Sequence, residues 1–463
     1  LSAAGTICVL CLGTLAAGEG AIRDLLGIIV WYDYLPFLRR YQPTVAFPLF
    51  FLFSSMVWQT VMVAGRKAYL WASAAGIVFI LMVFSYFYLW TAAAAWFIGL
   101  AILLSIADRS GTVAILRRLS PIIVLGIIGL IPYFFLLSQQ NETISQVHLL
   151  TKTHRPDLVR LPELIGCLVL VAISVVVIRR KLSWRNPSVI FTISFAVLPF
   201  IVFNQQIITG RSMQPMHYEQ FIANYVVLLG VVTSLSIIWL NINVANRAIS
   251  RRIIVLIGVA SLLWGCLEVV RTTETFRNTN EMNDQMIAVA NRLKERERES
   301  TSPAIVFAPI VRVGDMAMTV TPQTFLWASF MPLYTAASEK ETRERLYKHL
   351  YYTGININEL HYLMLNDSRI TTALLGMERA FPILSVDTPA LITTEEIVVE
   401  LQQYLDYTRS FNYQCAAQTP ITYLINVVDY QPNFANLDRW YERDQGEQIG
   451  IFVIYRLKLR PPQ

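Results

Sequence analysis

The stretch Phe203-Asn-Gln-Gln-Ile-Ile-Thr-Gly-Arg-Ser-Met-Gln-Pro-Met-His-Tyr-Glu-Gln220 is a dense polar loop between two long apolar segments. Each flanking segment is close to the roughly 20 residues that a helix needs to cross the hydrocarbon core of a bilayer. A bilayer accommodates irregular backbone and ionisable side chains only where they meet water or line a cavity. The stretch therefore predicts a helical membrane protein in which this loop is either an exposed connector or a site.

The bulk composition supports a membrane protein rather than an ordinary soluble domain. Of 463 residues, 55% are hydrophobic and 15% are charged, and the mean hydropathy is +0.47. The net charge of +6 does not indicate nucleic acid, because the basic residues of the first half lie in short loops between apolar runs. Four of the five cysteines lie in apolar segments, so no disulfide framework is predicted.

Apolar segments of near-spanning length recur through the first part of the chain, and we expect eight or nine transmembrane helices in all. The segments are 1–17, 44–64, 68–89, 92–107, 121–138, 163–178, 187–203, 221–240 and 253–270. The run from Ile80 to Ala107 is long for a single span, so we expect a tight hairpin near Thr91. The chain begins inside an apolar run, which favours a start within a longer protein.

Basic residues cluster in alternate loops between these segments, for example Arg66-Lys67, Arg117-Arg118 and Arg251-Arg252. The positive-inside rule assigns such loops to the cytoplasm. The opposite side then receives the polar loop and everything after Val270. We therefore expect a multi-pass inner or plasma membrane protein with an extracytoplasmic C-terminal domain.

The composition changes after Val270, and three regions are predicted. Residues 1–272 form a transmembrane helical domain, 273–302 a connecting amphipathic helix, and 303–463 a soluble α/β domain. Within the soluble domain, 304–308, 422–428 and 450–457 have the character of strands, whereas Ser338 and Thr393 each begin a helix with a capping box. A further amphipathic helix is expected at 20–42, lying on the outer leaflet.

The polar loop carries side chains that suit an anionic, hydroxylated ligand, because they combine amides, a guanidinium, an imidazole and a phenol. The candidate substrate-binding residues are Asn204, Gln205, Gln206, Arg211, Gln214, His217 and Tyr218. Glu219 and Asp33 are candidate catalytic carboxylates, since a base beside the bilayer could activate a sugar or lipid hydroxyl. The alternative interpretation is a hydrated turn held by Gly210 and Pro215.

The motifs of common soluble enzymes are missing from the sequence. It contains no Gly-rich phosphate loop, no Cys/His zinc spacing and no nucleophile elbow. We therefore predict no metal site and no cofactor.

Several features together resemble the GT-C class of membrane glycosyltransferases. They are the aromatic hairpin Phe84-Ser-Tyr-Phe-Tyr-Leu-Trp-Thr91, the outer amphipathic helix, the polar loop Asn204–Glu219 and the outer α/β domain. The resemblance implies transfer of a sugar from a polyprenyl-phosphate donor to an acceptor on the outer side, without a nucleotide. It also implies a catalytic carboxylate in the first outer loop, where Glu19 and Asp24 stand, which acts as a base on the acceptor. A basic residue such as Arg211 would steady the leaving phosphate.

Two other functions remain open at this stage. The chain could be a non-catalytic structural or accessory subunit of a larger membrane complex, with the outer domain docking onto partner subunits. It could also be a transporter, although few ionisable residues lie at mid-membrane depth. The expected partners are the lipid bilayer and either a lipid-linked sugar donor or other subunits.

Overall fold

The computed structural model describes residues 2–28, 35, 44–139, 151–152, 156–180, 182–212, 215–240, 247–297, 304–331, 338–380 and 391–462. The chain divides into two compact units. The helical unit comprises residues 1–139 and 155–275, and the sheet unit comprises 140–154 and 276–463.

Helices account for nearly all of the described secondary structure up to residue 297. They are α1 (Ser2–Ala16), α2 (Ala21–Leu25), α3 (Phe47–Met62), α4 (Arg66–Val83), α5 (Phe87–Ala107), α6 (Thr112–Ser138), α7 (Leu161–Arg180), α8 (Pro187–Asn204), α9 (Gln206–Thr209), α10 (Pro215–Tyr218), α11 (Asn224–Leu240) and α12 (Arg247–Glu297). Two-residue strands occur at β1 (Thr151–Lys152) and β2 (Arg211–Ser212). A π-helical turn, Glu219–Ala223, joins α10 to α11.

Seven of the described helices are long and apolar enough to cross a membrane. They are α4, α5, α6, α7, α8, the continuous segment Pro215–Leu240, and α12. The predicted spans at 1–17 and 44–64 form the shorter apolar helices α1 and α3. The prediction of a multi-pass integral membrane protein is therefore confirmed.

The expected hairpin in the aromatic stretch is present and lies slightly before Thr91. Helix α4 ends at Val83 and α5 begins at Phe87. The hydroxyl of Ser85 donates to the carbonyl oxygens of Leu81 and Met82 in the last turn of α4, at 2.6 and 3.2 Å.

Large aromatic side chains and small residues together pack the helical unit. Trp96 is fully buried, stacks on Phe195 at a centroid distance of 5.3 Å, and donates its indole N–H to Ser194 Oγ at 3.0 Å. At Gly13 a side chain would overlap the ring of Tyr225, so glycine permits α1 to approach α11 closely.

The sheet unit is a mixed α/β structure around one six-stranded sheet. Its strands are β3 (Ile305–Phe307), β4 (Thr324–Phe325), β5 (Tyr423–Val427), β6 (Tyr441–Arg443), β7 (Glu447–Ile449) and β8 (Phe452–Leu459). Its helices are α13 (Val311–Met318), α14 (Glu339–Tyr352), α15 (Ile357–Asn366), α16 (Ser368–Leu375), α17 (Met377–Ala380), α18 (Thr394–Ser410), α19 (Tyr413–Gln418) and α20 (Ala435–Trp440).

The order in the sheet is β4-β3-β5-β8-β6, and β7 also pairs with β8. Strand β3 pairs in parallel with β4 and β5, whereas β5 pairs antiparallel with β8. Local signals in the sequence located much of this unit. Ser338 accepts a hydrogen bond from the Glu341 amide, and Thr393 and Glu396 form the expected capping box.

The end of α12 belongs to the sheet unit and packs beside the β7–β8 turn. Gln285 Oε1 accepts the amide of Ile451 at 2.8 Å, and Arg292 and Arg296 both pair with Glu447. Helix α12 contains both the apolar segment expected at 253–270 and the polar segment that follows it.

Of the amphipathic helix expected at 20–42, the structure describes the short helix α2 and Leu35. The other residues after Ile28 and before Thr44 lie outside the described part of the chain.

Candidate functional site at the polar end of the helical unit

Charged and hydrogen-bonding side chains gather where α1 and α8 end and where α7 and the Pro215–Leu240 segment begin; we call this region the polar end. Its centre is a group of five residues, the carboxylate cluster. They are Glu19, Asp157, Arg160, Glu163 and Glu219.

Arg160 connects two carboxylates of this cluster. Its guanidinium forms ion pairs with Asp157 and, at 2.5 Å, with Glu219, which lies 59 residues away in sequence. It also lies over the ring of Phe203, 5.2 Å from the ring centroid. Burial lowers the pKa of Arg160, but the charges of Glu219 and Asp157 outweigh this and raise it. The arginine therefore stays protonated and holds both carboxylates in place.

Glu19 approaches the cluster from the turn between α1 and α2. It pairs with Arg23 at 2.6 Å, and its side chain is 21% exposed. Burial raises the pKa of Glu19, and the charge of Arg23 together with hydrogen bonds from Arg23 and Gln220 offsets only part of that rise. Glu219, beside Gln220, is an electrostatic neighbour of Glu19. Two of the predicted catalytic carboxylates thus come together from distant parts of the chain.

Glu219 is the first residue of the π-helical turn that joins α10 to α11. Such turns are rare and are found frequently at functional sites, because the extra residue re-aims the side chains around it. The wider turn here places Glu219 towards Arg160, while Phe221, Ile222 and Ala223 are buried in the bundle.

Asn204 clamps the segment that carries Asp157 and Arg160. Its Nδ2 donates to the carbonyl oxygen of Asp157 at 2.6 Å, and its Oδ1 accepts the Asp157 amide at 2.7 Å. The side chain also donates to Glu163 Oε1 at 3.3 Å and to the carbonyl of Phe200 at 3.0 Å. In this structure Asn204 organises the cluster through the backbone.

The other amides of the loop have different surroundings. Gln205 Oε1 accepts the hydroxyl of Thr209 at 2.7 Å, and Gln206 is 1% exposed. Gln214 and Asp33 lie outside the described residues, as does the side chain of Arg211.

An aromatic group adjoins the cluster at the start of α5. His217 Nδ1 is 2.8 Å from the hydroxyl of Tyr86, and its ring stacks on Tyr88 at a centroid distance of 4.4 Å. Tyr218 is buried, and its hydroxyl lies 2.9 Å from Thr91 Oγ1. The structure therefore brings His217 and Tyr218 together with the aromatic hairpin that the sequence singled out.

No family model and no curated protein matches this chain. Its function is accordingly argued from the geometry of the site. In the described ranges, no group of three or more His, Cys, Asp or Glu side chains could hold a metal ion.

Sequence reasoning missed Asp157, Arg160 and Glu163. The signal was present, because the run Asp157-Leu-Val-Arg-Leu-Pro-Glu163 places three charges immediately before and inside the first turn of a spanning segment. Glu163 caps that segment by accepting the Arg160 amide at 3.1 Å. Charged residues at the end of a membrane span are candidate site residues, just as the residues of a polar loop are.

A second buried carboxylate, Glu268 on α12, was also missed. It is fully buried and accepts hydrogen bonds from the Thr14 hydroxyl at 2.8 Å, the Ala21 amide at 2.9 Å and the Trp264 indole at 2.9 Å. It thereby ties α12 to the turn between α1 and α2, next to Gly20, where a side chain would meet its oxygens.

Proposed function

We propose that the helical unit is a glycosyltransferase similar to the GT-C class, which transfers a sugar from a polyprenyl-phosphate donor on the extracytoplasmic side. The observation that carries the proposal is the convergence of Glu19 and Glu219 beside Arg160 at the polar end. Two carboxylates in different environments commonly provide general acid–base catalysis at hydroxyl groups.

In this mechanism Glu19 is the base. It is partly accessible, and its raised pKa makes it a stronger base than an ordinary carboxylate. It takes the proton of the acceptor hydroxyl as the oxygen attacks the anomeric carbon of the donor. The phosphate leaves, and Arg211 steadies its charge, as the resemblance implies.

Glu219 and Arg160 act as positioning residues for Glu19. The Arg160 ion pair fixes Glu219, which lies near Glu19, and so holds this part of the site in place. The partly exposed rings of Tyr88 and His217 lie at the same end, and sugar rings commonly pack on such rings.

A second function, that of an accessory subunit, is favoured by one specific observation. Several polar side chains of the site bind the protein itself: Asn204 binds the Asp157 backbone, Glu219 binds Arg160, and Tyr218 contacts Thr91. Such engagement is what a purely structural role would require.

The test is transfer of radiolabelled sugar from a polyprenyl-phosphate donor by the full-length protein in proteoliposomes. We expect Glu19→Gln to slow transfer about 100-fold or more, the scale of a lost general base, and Glu219→Gln to slow it less. Glu274→Gln is the matched control, because that carboxylate is 54% exposed on α12. Wild-type rates in both Gln variants would contradict the roles given to Glu19 and Glu219. Absence of transfer by the wild-type protein alone, with stoichiometric copurification of other subunits, would establish the accessory role instead.

A further inference from the structure

An apolar cavity lies within the helical unit, away from the carboxylate cluster, between α1, α11 and α12. Its volume is about 170 Å³. Gly5 and Cys8 of α1, Leu235 and Trp239 of α11, and Ile254 and Ile257 of α12 are among the residues that line it. Its lining residues Leu235, Ile253 and Ile257 are 41–51% exposed, so the cavity opens to the surroundings of the helices, which in a membrane are lipid chains.

Two arginines stand one turn from the cavity along α12. Arg251 and Arg252 are exposed, and Arg251 lies three residues before Ile254, on the same helix face. Within the described part of the chain, neither side chain takes part in an ion pair. Long basic side chains near the end of a spanning helix reach the level of the lipid headgroups.

From this arrangement we infer that the cavity is a binding site for an anionic glycerophospholipid. Part of one acyl chain occupies the cavity between α1, α11 and α12, and the phosphate of the headgroup pairs with Arg251 and Arg252. Trp239 suits the boundary between the two parts, because its ring is apolar and its N–H is polar. The two arginines favour a headgroup with a net negative charge. Zwitterionic lipids, whose headgroups carry no net charge, therefore bind the site more weakly.

The experiment is native mass spectrometry of the full chain released from detergent micelles, titrated with dioleoyl phosphatidylglycerol or dioleoyl phosphatidylcholine. We expect one tightly bound phosphatidylglycerol and weaker binding of phosphatidylcholine. The double variant Arg251→Gln, Arg252→Gln should bind phosphatidylglycerol about 30-fold more weakly, since each basic residue near the surface contributes about fivefold. The matched control is Arg117→Gln, Arg118→Gln, whose arginines stand near the start of α6 and line no part of this cavity.

A second measurement reads the cavity directly. In a variant that keeps Cys8 as the only cysteine, phosphatidylglycerol should slow the reaction of Cys8 with an apolar maleimide, and Leu235→Trp, which fills the cavity, should remove that protection. The inference is overturned if the two arginine variants weaken binding equally, if the two lipids bind equally, or if phosphatidylglycerol leaves the labelling of Cys8 unchanged. None of these outcomes depends on sugar transfer.

Discussion

Replacing Glu268 by alanine removes the acceptor that ties the turn between α1 and α2 to α12. Two donors, the Ala21 amide and the Trp264 indole, are then left without a partner. The Thr14 hydroxyl can turn to a carbonyl of its own helix and is not counted. Each buried donor without a partner costs about 1–3 kcal/mol, and the relief of burying a carboxylate offsets part of that cost. We expect a net loss of about 2–4 kcal/mol in the free energy of unfolding.

The assay is unfolding in mixed micelles by titration with sodium dodecyl sulfate, followed by tryptophan fluorescence. Glu268→Gln should cost less than Glu268→Ala, because it keeps the volume and one acceptor oxygen. Glu274→Ala serves as the control, since that side chain is 54% exposed on the same helix. The reasoning is refuted if Glu268→Ala unfolds within about 0.5 kcal/mol of the wild type, the range of an ordinary surface change.

Three further predictions concern other parts of the chain. His349 should cost the sheet unit up to about 5 kcal/mol of stability as the pH falls from 6.5 to 3, because burial lowers its pKa to about 3 and only the unfolded chain binds its proton readily. Hydrogen exchange should show this loss, and His349→Phe should remove the part above about pH 5, where carboxylates do not yet take up protons. Gly13→Ala should destabilise the helical unit because its methyl group would overlap the Tyr225 ring, whereas Gly99→Ala, 3.3 Å from a flexible methyl group, should be tolerated in the same thermal melts. Arg160→Lys should lower the rate of sugar transfer while leaving folding intact, because an ammonium group cannot hold two carboxylates in the same planar geometry; a wild-type rate would contradict its positioning role.

The sequence predicted those features that depend on neighbouring residues. The capping signals at Ser338 and Thr393 need only three further residues to be recognised, and both helices begin where expected. The multi-pass character follows from long apolar runs, and α4 to α8 appear near their predicted positions.

Contacts between distant residues could not be predicted in this way. Glu219 meets Arg160 across 59 positions, and Glu268 meets Thr14 across 254, and no periodicity in one sequence encodes such pairs. Asn204 was predicted to bind a ligand, but in the structure its side chain donates to the backbone carbonyl of Asp157. Its amide suits a ligand or a backbone equally well, and only the fold decides between them.

The whole proposal depends on the side of the membrane that the sheet unit and the polar end face. The most direct measurement is labelling of intact cells with a membrane-impermeant maleimide, in a protein whose five native cysteines are replaced by serine. One variant carries Ser410→Cys at the exposed end of α18, and the other carries Ser110→Cys beside Arg109 in the turn between α5 and α6, where both residues are exposed. The account predicts that Cys at position 410 reacts in intact cells and that Cys at position 110 reacts only after permeabilisation. The opposite pattern would place the sheet unit in the cytoplasm and contradict an extracytoplasmic transfer reaction.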